Sequence, residues 1–432
     1  MAVSNQDTSS ADSLMHETEI KTDFLAQFDL TPETERWPLV RQWMKESPLP
    51  FYKELRAKRP ILVTPECTLV TRFDDVTEIL KQPTVFTVDL YKPKMGDYLM
   101  TEDETPMHNT EKEIMLSLLR REDLPCIRDF VAEAGNKILE GAGGNIELIN
   151  QYARMVPALM VQNIFGLDGI KPEKLIEWSY WNQYDAFRNQ PFHEAGNSAT
   201  VHNETKKANR MLGIYVAFLL LGKWWHMFRG KPKNDTVTRM LQEYYPKKAK
   251  FNILRQGINA GGLLVGAVET TSEAVAHIFS QLIERPVMLA KAIQLAQQDE
   301  TAAFDKICWE ALRFKPIAPY IFRKTAIDYT LARGTDRAIT IPHGSTVLNV
   351  IASAMFDPAA FEAPDQFNPE RDYGKSFHFG FGSHECMGKS VGMVMIPEMV
   401  RQVLRRPGIK ADGAMEYKGK PFPEQYRFSW DK

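Results

Sequence analysis

The amino-acid sequence predicts a mainly α-helical domain with a minor β-sheet. Helical patterns dominate residues 74–314, whereas β-branched segments at 61–64 and 68–71 and the short, turn-rich segments after Pro316 predict strands. No internal repeat, low-complexity tract or Gly/Ser linker divides the sequence. With 432 residues, 44% of them hydrophobic, the chain is long enough to bury one large core.

Local patterns account for the elements in chain order. Residues 50–58 predict a short helix before the first two strands. Turn residues then separate a series of helices, at 125, 141–145 and 231–235. Residues 253–284 are apolar almost all round, which predicts one buried helix roughly 45 Å long. Two more helices are expected later in the chain, at 304–314 and 390–405.

Two further segments bear on domain organisation. The first 20 residues are polar and acidic and lack the basic start and apolar stretch of a signal peptide. We therefore expect residues 1–25 to be a disordered polar tail and residues 26–432 to form a single domain. Residues 211–222 are the most apolar run, but a membrane span needs roughly 20 such residues. They predict a buried or lid helix and no membrane span, with a surface that touches lipid or an apolar substrate as the alternative.

Charge and cysteine content limit the functional class. The chain carries 53 Lys and Arg against 55 Asp and Glu, and its net charge of -2 offers no global field for nucleic acid. The four cysteines are widely scattered, which excludes a disulfide-stapled scaffold. Reduced thiols in a cytoplasmic protein are the expectation.

The central helix at 253–284 contains residues that do not suit an apolar interior. Gly262, Gly266 and Thr270 recur at intervals of four, so they share one face that a flat, bulky ligand could approach. The hydroxyl of Thr270 can bond the carbonyl of Gly266 and open the helix locally. Glu269 beside Thr270 makes the pair a candidate proton relay. The alternative is a structural Glu269, paired with an arginine elsewhere in the chain.

A second candidate group is predicted to be structural. Glu310 and Arg313 lie three residues apart, and hence on one face, of the apolar helix at 304–314. A buried arginine needs more than one partner for its donors. Arg371 is a second cation that could join this network.

The most specific pattern surrounds one cysteine. Four residues stand in the order F-x-x-G-x-x-x-C-x-G: Phe379, Gly382, Cys386 and Gly388. The glycine-rich loop precedes the helix at 390–405, whose first backbone N–H groups would stabilise a thiolate. A thiolate held in this way can be the axial ligand of a haem iron. The alternative is a zinc site of His378, His384 and Cys386, for which the sequence supplies no further ligands at zinc spacing.

With these motifs in the same order, the sequence resembles the cytochrome P450 superfamily of haem-thiolate monooxygenases, of the soluble bacterial type. The resemblance extends from about residue 50 to the end of the sequence. It implies the cytochrome P450 fold, a single triangular, mainly helical domain. It also implies that haem b, iron protoporphyrin IX, is held between the central helix and the cysteine loop.

The resemblance implies roles for individual residues. Cys386 would be the iron ligand, with Phe379 packed against it to shield the sulfur. Three glycines would be cofactor-binding: Gly266, Gly382 and Gly388. The haem propionates would contact four basic residues: His108, Lys112, Arg323 and His384. Lys112 stands where the family usually has Arg, and it lacks the bidentate fork of Arg. The network of Glu310, Arg313 and Arg371 would brace the cysteine loop.

The implied activity is that of a monooxygenase, which activates O2 with two externally supplied electrons and inserts one oxygen atom into a hydrophobic small molecule. Glu269 and Thr270 would deliver the protons. Two alternatives share the fold: a peroxide-driven peroxygenase or hydroperoxide isomerase, and a non-catalytic haem sensor or binding protein. The acid–alcohol pair favours the monooxygenase, because the peroxide-using relatives often lack it.

The implied partners are a separate electron donor and an apolar substrate. The sequence shows no flavin-binding or nicotinamide-binding segment, so a ferredoxin and its ferredoxin reductase would supply the electrons. Six basic residues belong to segments that flank the cysteine side of the haem in this family: Arg120, Arg121, Lys389, Arg401, Arg405 and Arg406. They would suit an acidic ferredoxin, or they form an ordinary solvated face. The substrate pocket would be lined by mostly apolar segments, at 86–105, 211–225 and 317–321 and on the central helix.

Overall fold

Helices make up most of the computed structural model, which describes residues 23–298 and 300–432. In chain order the α-helices are α1 (Phe24–Leu30), α2 (Glu33–Glu46), α3 (Pro48–Lys58), α4 (Phe73–Leu80), α5 (Lys92–Met95), α6 (Pro106–Leu118), α7 (Leu124–Gly141), α8 (Met155–Met160), α9 (Pro172–Arg188), α10 (Ser198–Phe228), α11 (Thr236–Gln242), α12 (Ile253–Ala267), α13 (Glu269–Ile283), α14 (Pro286–Gln297), α15 (Thr301–Phe314), α16 (Ile351–Ala354) and α17 (Lys389–Leu404). Short 3-10 and π-helical turns connect several of them.

The strands are short and form three small sheets. They are β1 (Ile61–Val63), β2 (Thr68–Val70), β3 (Phe86–Thr87), β4 (Asn145–Glu147), β5 (Ile321–Thr325), β6 (Tyr329–Leu331), β7 (Ile339–Ile341), β8 (Thr346–Asn349), β9 (Lys410–Ala411) and β10 (Arg427–Ser429). The largest sheet has the order β1-β2-β8-β5-β3, in which β2 and β8 are parallel and the other neighbours antiparallel. The other two are β4-β10-β9 and β6-β7. The predicted class, mainly helical with a minor sheet, is confirmed.

The main hydrophobic core lies between the helices of the central and C-terminal parts of the chain. Helix α17 packs against α7, and α13 packs against both α15 and α17. Helix α13 is buried almost throughout, and polar residues such as Glu273 and His277 are buried in it together with apolar ones such as Val275. These contacts bring the beginning of α13, the helix α15 and the loop before α17 into one region.

The last residues of the predicted tail, 23–25, belong to the folded body. Residues 1–22 of the predicted tail lie outside the described residues. Helix α1 begins at Phe24, whose buried ring contacts Trp43 and Phe51 at centroid distances of 5.3 and 5.5 Å. The predicted boundary between residues 25 and 26 therefore falls inside a helix, since the ring of Phe24 is too apolar to be left in water.

The central helix is interrupted, which corrects the expectation of one continuous helix at 253–284. Helix α12 ends at Ala267 and α13 begins at Glu269. The Thr270 hydroxyl donates a hydrogen bond to the carbonyl oxygen of Gly266 at 2.6 Å. Such a side-chain bond competes with the backbone ladder and bends a helix, so the local opening predicted at this pair is present.

Helix α10 contains the apolar run at 211–222, for which the sequence predicts a buried or lid helix; its inner face is buried, whereas Phe218 and Leu221 on its outer face are exposed. Of the described helices, α10 is the one long and apolar enough to cross a membrane by length and composition, a test that core helices also pass. Its inner face packs against α9 and α12. Near its end, Lys223 forms a buried ion pair with Asp235 at 2.7 Å. These contacts attach α10 along its length to the rest of the domain.

Candidate functional site

The loop before α17 has a shape that favours glycine at two positions. Gly380 and Gly382 have positive φ angles of 76° and 72°. A Cβ atom on Gly382 would also lie 2.8 Å from the carbonyl oxygen of Leu80. The backbone N–H of Cys386 donates to the carbonyl of Phe379 at 2.8 Å and closes the turn. The glycine spacing in the sequence thus corresponds to a tight loop that fixes the position of the cysteine.

The side chain of Cys386 is exposed although protein surrounds it on most sides, so it opens on an internal space. Burial raises the pKa of this thiol above its ordinary value, while a hydrogen bond from the backbone N–H of Gly388 and the charge of Lys112 act in the opposite direction. The predicted stabilisation of a thiolate by backbone N–H groups is therefore present, but burial outweighs it.

Phe379 lies beside the cysteine and packs under the loop. Its ring contacts that of Trp309 at a centroid distance of 5.5 Å. A Cβ atom on Gly392 of α17 would approach this ring to 2.9 Å. The ring therefore fills the space between α15 and α17, and the absence of a side chain at Gly392 makes room for it.

Two of the predicted haem contacts come from α6 and bind the loop itself. The ring nitrogens of His108 lie 2.8 and 3.2 Å from the carbonyl oxygens of Leu99 and Ser383. The amino group of Lys112 donates to the carbonyl oxygens of Ser383 and Glu385. Burial lowers the pKa of Lys112. In this structure both residues tie α6 to the cysteine loop.

The other two predicted contacts are a buried guanidinium and a histidine with one unpartnered ring nitrogen. Arg323 on β5 is 5% exposed and forms no ion pair within 4 Å with a carboxylate of the described residues. Burial lowers its pKa. His384 bonds Asp103 through Nε2 at 3.2 Å, whereas its buried Nδ1 has no partner among the described residues. The buried hydroxyl of Ser383 likewise has none. The charge of Asp103 acts on the pKa of Arg323 but forms no ion pair with it, so an anionic group bound here would stabilise the buried guanidinium.

The central helix supplies an open face for the same internal space. A Cβ atom on Gly266 would meet nothing within 4 Å, and Thr270 on the same face is half-buried. Gly262 departs from the prediction, because the ring of Tyr98 covers it and leaves no room for a side chain. Burial is the main cause of the raised pKa of Tyr98, and the nearby Cys386 raises it further. Because Tyr98 also covers Gly262, the central helix and the cysteine loop border one region.

These features fit iron protoporphyrin IX. A cysteine sulfur faces the interior, as an axial iron ligand must. The buried cation Arg323 suits the carboxylate of a propionate, and the unpartnered Nδ1 of His384 would donate to a second one when the ring is protonated. Gly266 leaves room for a flat ring against the helix. The zinc alternative lacks support, because no group of three or more His, Cys, Asp or Glu able to hold a metal occurs in the described part of the chain.

Glu269 has the arginine partner that the structural alternative required. Arg154 binds it through Nε at 2.6 Å and through Nη2 at 3.2 Å, and the same Nη2 lies 3.2 Å from Glu424. Burial raises the pKa of Glu269, and Arg154 opposes that effect. The sequence analysis missed Arg154, although a lone charge in the apolar run around residues 152–160 was a signal for it.

The predicted structural network is present and buried. Glu310 and Arg313 are 0% and 1% exposed. Arg313 binds both oxygens of Glu310, with Nε and Nη2 at 2.9 and 2.8 Å. Nε of Arg371 lies 3.3 Å from the same carboxylate, and the backbone N–H of Asn368 donates to it at 2.8 Å. The network therefore joins α15 to the segment that leads into the cysteine loop.

One of the six basic residues expected to dock an electron donor is not available. Arg401 is 2% exposed and lies 3.5 Å from Asp305 and 3.4 Å from Glu398, because its face of α17 packs against α7 and α15. Arg121 is exposed, and Arg120 forms a long ion pair of 3.8 Å with Glu243. The remaining three residues, Lys389, Arg405 and Arg406, are partly buried and bonded to Glu385, Ala296 and Asn136.

A cavity of about 980 Å³ lies beside the central helix. Its wall is mostly apolar and comes from the predicted segments at 86–105 and 211–225 and from α12: among others Met95, Tyr98, Leu212, Val216, Leu220, Gly261 and Val265. Its few polar side chains include Asn182 and Asn209. A wall of this kind suits a hydrophobic ligand.

Comparisons with known proteins agree with this geometry. A family model described as cytochrome P450 matches residues 204–415. Cytochrome P450 109 of Bacillus spizizenii is 26% identical over 355 residues, which cover 79% of this chain and 80% of that protein. Mycinamicin IV hydroxylase/epoxidase of Micromonospora griseorubida is 22% identical over 377 residues, with 83% and 88% covered. The structure of CYP109E1 of Bacillus megaterium in complex with testosterone has a TM-score of 0.73 at 19% identity, over 89% of this chain and 100% of that chain, a likeness of fold.

Proposed function

The chain belongs to the cytochrome P450 superfamily of haem-thiolate monooxygenases, and from that premise we propose that Cys386 holds its haem iron and that Thr270 and Glu269 deliver protons to the reaction site. One observation carries the proposal. The sulfur of Cys386 opens on an internal space from a loop whose turn has positive φ angles at Gly380 and Gly382.

The haem, when bound, supplies the chemistry of O2 activation with two electrons. The protein supplies the environment. Arg323 and His384 offer the propionates a buried charge and a free ring nitrogen. His108 and Lys112 hold the carbonyl groups of the cysteine loop. Phe379 fills the space beneath that loop. The network around Glu310 keeps the segment that leads into the cysteine loop in position.

The proposed proton path runs from the protein surface to the open face of the helix. Glu424 is 11% exposed at its side chain and contacts Arg154. Arg154 binds Glu269, and Thr270 follows in sequence with its hydroxyl on the carbonyl of Gly266. Arg154 keeps its own protons, so it cannot pass one on. In the proposed path the carboxylate of Glu269 rotates away from Arg154, takes up a proton from water or from Glu424, and donates it to the hydroxyl of Thr270, which releases its own proton towards the reaction site. Rotation of this ion pair is therefore the step that would admit protons.

The substrate is proposed to be a hydrophobic small molecule. The mostly apolar wall of the cavity supports this class. A relative named as a hydroxylase/epoxidase and a structural neighbour in complex with testosterone are compatible with oxygen insertion into apolar molecules. The proposed electron donor is a ferredoxin with its reductase, docked at the exposed residues Arg120 and Arg121, and the proposed location is the cytoplasm.

The test is the absorbance of the reduced, carbon-monoxide-bound protein. The parent should show the strongly red-shifted band that a thiolate ligand produces. Cys386→Ser should lose this band, because a serine hydroxyl cannot replace the thiolate. Cys126→Ser is the matched control, since Cys126 is an exposed cysteine outside the loop, and it should retain the band. A red-shifted band in Cys386→Ser would refute the assignment.

A further inference from the structure

The outer face of α10 presents large apolar side chains to solvent. Five of them define what we call the apolar stripe: Ile214, Phe218, Leu221, Trp225 and Phe228. They are between 43% and 75% exposed. The spacing of four and three residues places them on one side of the helix, over about 20 Å of its length. No charged residue stands at 211–222, so water meets a continuous apolar surface there.

The cavity beside the central helix opens within this surface. Its wall includes four exposed side chains, Leu221 and Trp224 of α10 and Ile253 and Leu254 of α12. The last two extend the apolar area from α10 onto the beginning of α12. Exposed apolar patches of this extent mark contact with a protein, a membrane or an apolar ligand, since they are rare on free surfaces.

The segment around the stripe carries a net positive charge. Residues 204–250 contain eleven Lys and Arg but three Asp and Glu, a net charge of +8 in a chain whose total is -2. Exposed basic residues stand before the stripe, after it and at the approach to α12: Lys206, Arg210, Arg229, Lys231, Lys247, Lys248 and Lys250. Those seven form no ion pair within 4 Å with the acids of the described residues. The guanidinium of Arg229 also covers the ring of Trp225 at 4.7 Å.

The apolar stripe and the positive charge around it together favour one binding partner. A second copy of the chain would bring the same +8 segment against itself, which like-charge repulsion opposes. A bilayer with anionic phospholipids offers both an apolar region for the stripe and phosphates for the flanking cations. Tryptophans suit the level where headgroups meet acyl chains. Helix α10 cannot span the bilayer, because its inner face packs against α9 and α12.

We propose that the apolar stripe and its basic flanks bind the surface of an anionic phospholipid bilayer, with α10 lying in the plane of the membrane. The cavity then opens on the lipid instead of on water, and apolar molecules dissolved in the bilayer can enter it. This binding surface is additional to the haem chemistry, so its test does not depend on activity.

The test uses the full haem-loaded chain and sedimentation with vesicles. Vesicles of phosphatidylcholine with phosphatidylglycerol should bind it, and vesicles of phosphatidylcholine alone should bind it more weakly. The variant Phe218→Glu/Trp225→Glu should bind the anionic vesicles about tenfold or more weakly, since two rings no longer enter the lipid. Val287→Glu is the matched control, because Val287 is 75% exposed but lies on α14, and its binding should be unchanged.

A second pair of variants tests the charges. Lys247→Glu/Lys248→Glu should weaken binding to anionic vesicles by at least about fivefold per residue and reduce its dependence on salt. The control Lys291→Glu/Lys410→Glu changes two exposed lysines elsewhere and should have little effect. Three results would overturn the proposal. The first is no binding of the parent to anionic vesicles, and the second is equal binding by the two pairs of charge variants. The third is a dimer in solution that Phe218→Glu/Trp225→Glu dissociates.

Discussion

Removal of the charge on Glu310 should destabilise the whole domain. The substitution Glu310→Gln keeps the size of the side chain but leaves two guanidinium groups without their carboxylate. Arg313 is 1% exposed and Arg371 is 8% exposed at its side chain, so water cannot replace the lost partner. The amide of glutamine would also direct donors at other donors.

The magnitude follows from the burial of the pair. Removing one member of a buried ion pair typically costs about 3–5 kcal/mol, because the remaining charge is uncompensated. A domain is usually stable by only about 5–15 kcal/mol. Glu310→Gln should therefore reduce the free energy of unfolding by about 3–5 kcal/mol and accelerate the loss of haem, since the network adjoins the cysteine loop.

The assay is guanidinium chloride unfolding, followed by tryptophan fluorescence and by the haem absorbance. Glu370→Gln is the matched control: Glu370 pairs with Lys306 at 2.6 Å, but the two side chains are 65% and 45% exposed. Such exposed pairs contribute about 0–1 kcal/mol, so this variant should resemble the parent. Equal effects of the two substitutions, or a loss below about 1 kcal/mol for Glu310→Gln, would refute the reasoning.

Two further predictions concern protons. Thr270→Ala should lower the product formed per reducing equivalent by about tenfold, because the hydroxyl next to the open face is lost; the buried Thr271→Ala is the control, and an unchanged ratio would exclude the relay. Glu273 has a pKa raised to about 7 by burial, with Arg188 opposing, so the folded protein holds a proton that the unfolded chain releases. Stability should fall as pH rises from about 4.5 to 7, and Glu273→Gln should gain about 3 kcal/mol relative to the parent across that window. Parallel pH profiles of the unfolding free energy for Glu273→Gln and the parent would contradict this prediction.

Short-range patterns predicted most of the chemistry of the site. The spacing of Gly382 and Cys386 reflects a backbone turn formed within a few residues, so the sequence is sufficient to recognise it. Glu310 and Arg313 are one helical turn apart, and an apolar helix can accommodate them only as a pair. The opening of the helix at Thr270 is likewise a local hydrogen bond.

The sequence could not predict contacts between residues that are far apart in the chain, because the packing of helices brings those residues together. Glu269 contacts Arg154 from 115 residues away, and His384 contacts Asp103 from 281 residues away. Arg401 has the sequence context of a surface cation, yet the packing of α17 buries it against Asp305.

The apolar run in α10 shows the same division between local and tertiary causes. Its composition alone predicts an apolar helix that is stabilised by contact with other apolar groups, but it does not predict which element supplies them. Which side stays uncovered depends on where α9 and α12 lie against it, and that is a property of the folded chain. The residues thus specify a tight cysteine loop and an apolar helix, while the packing of helices distant in sequence sets the partner of Glu269 and the face of α10 that meets the solvent.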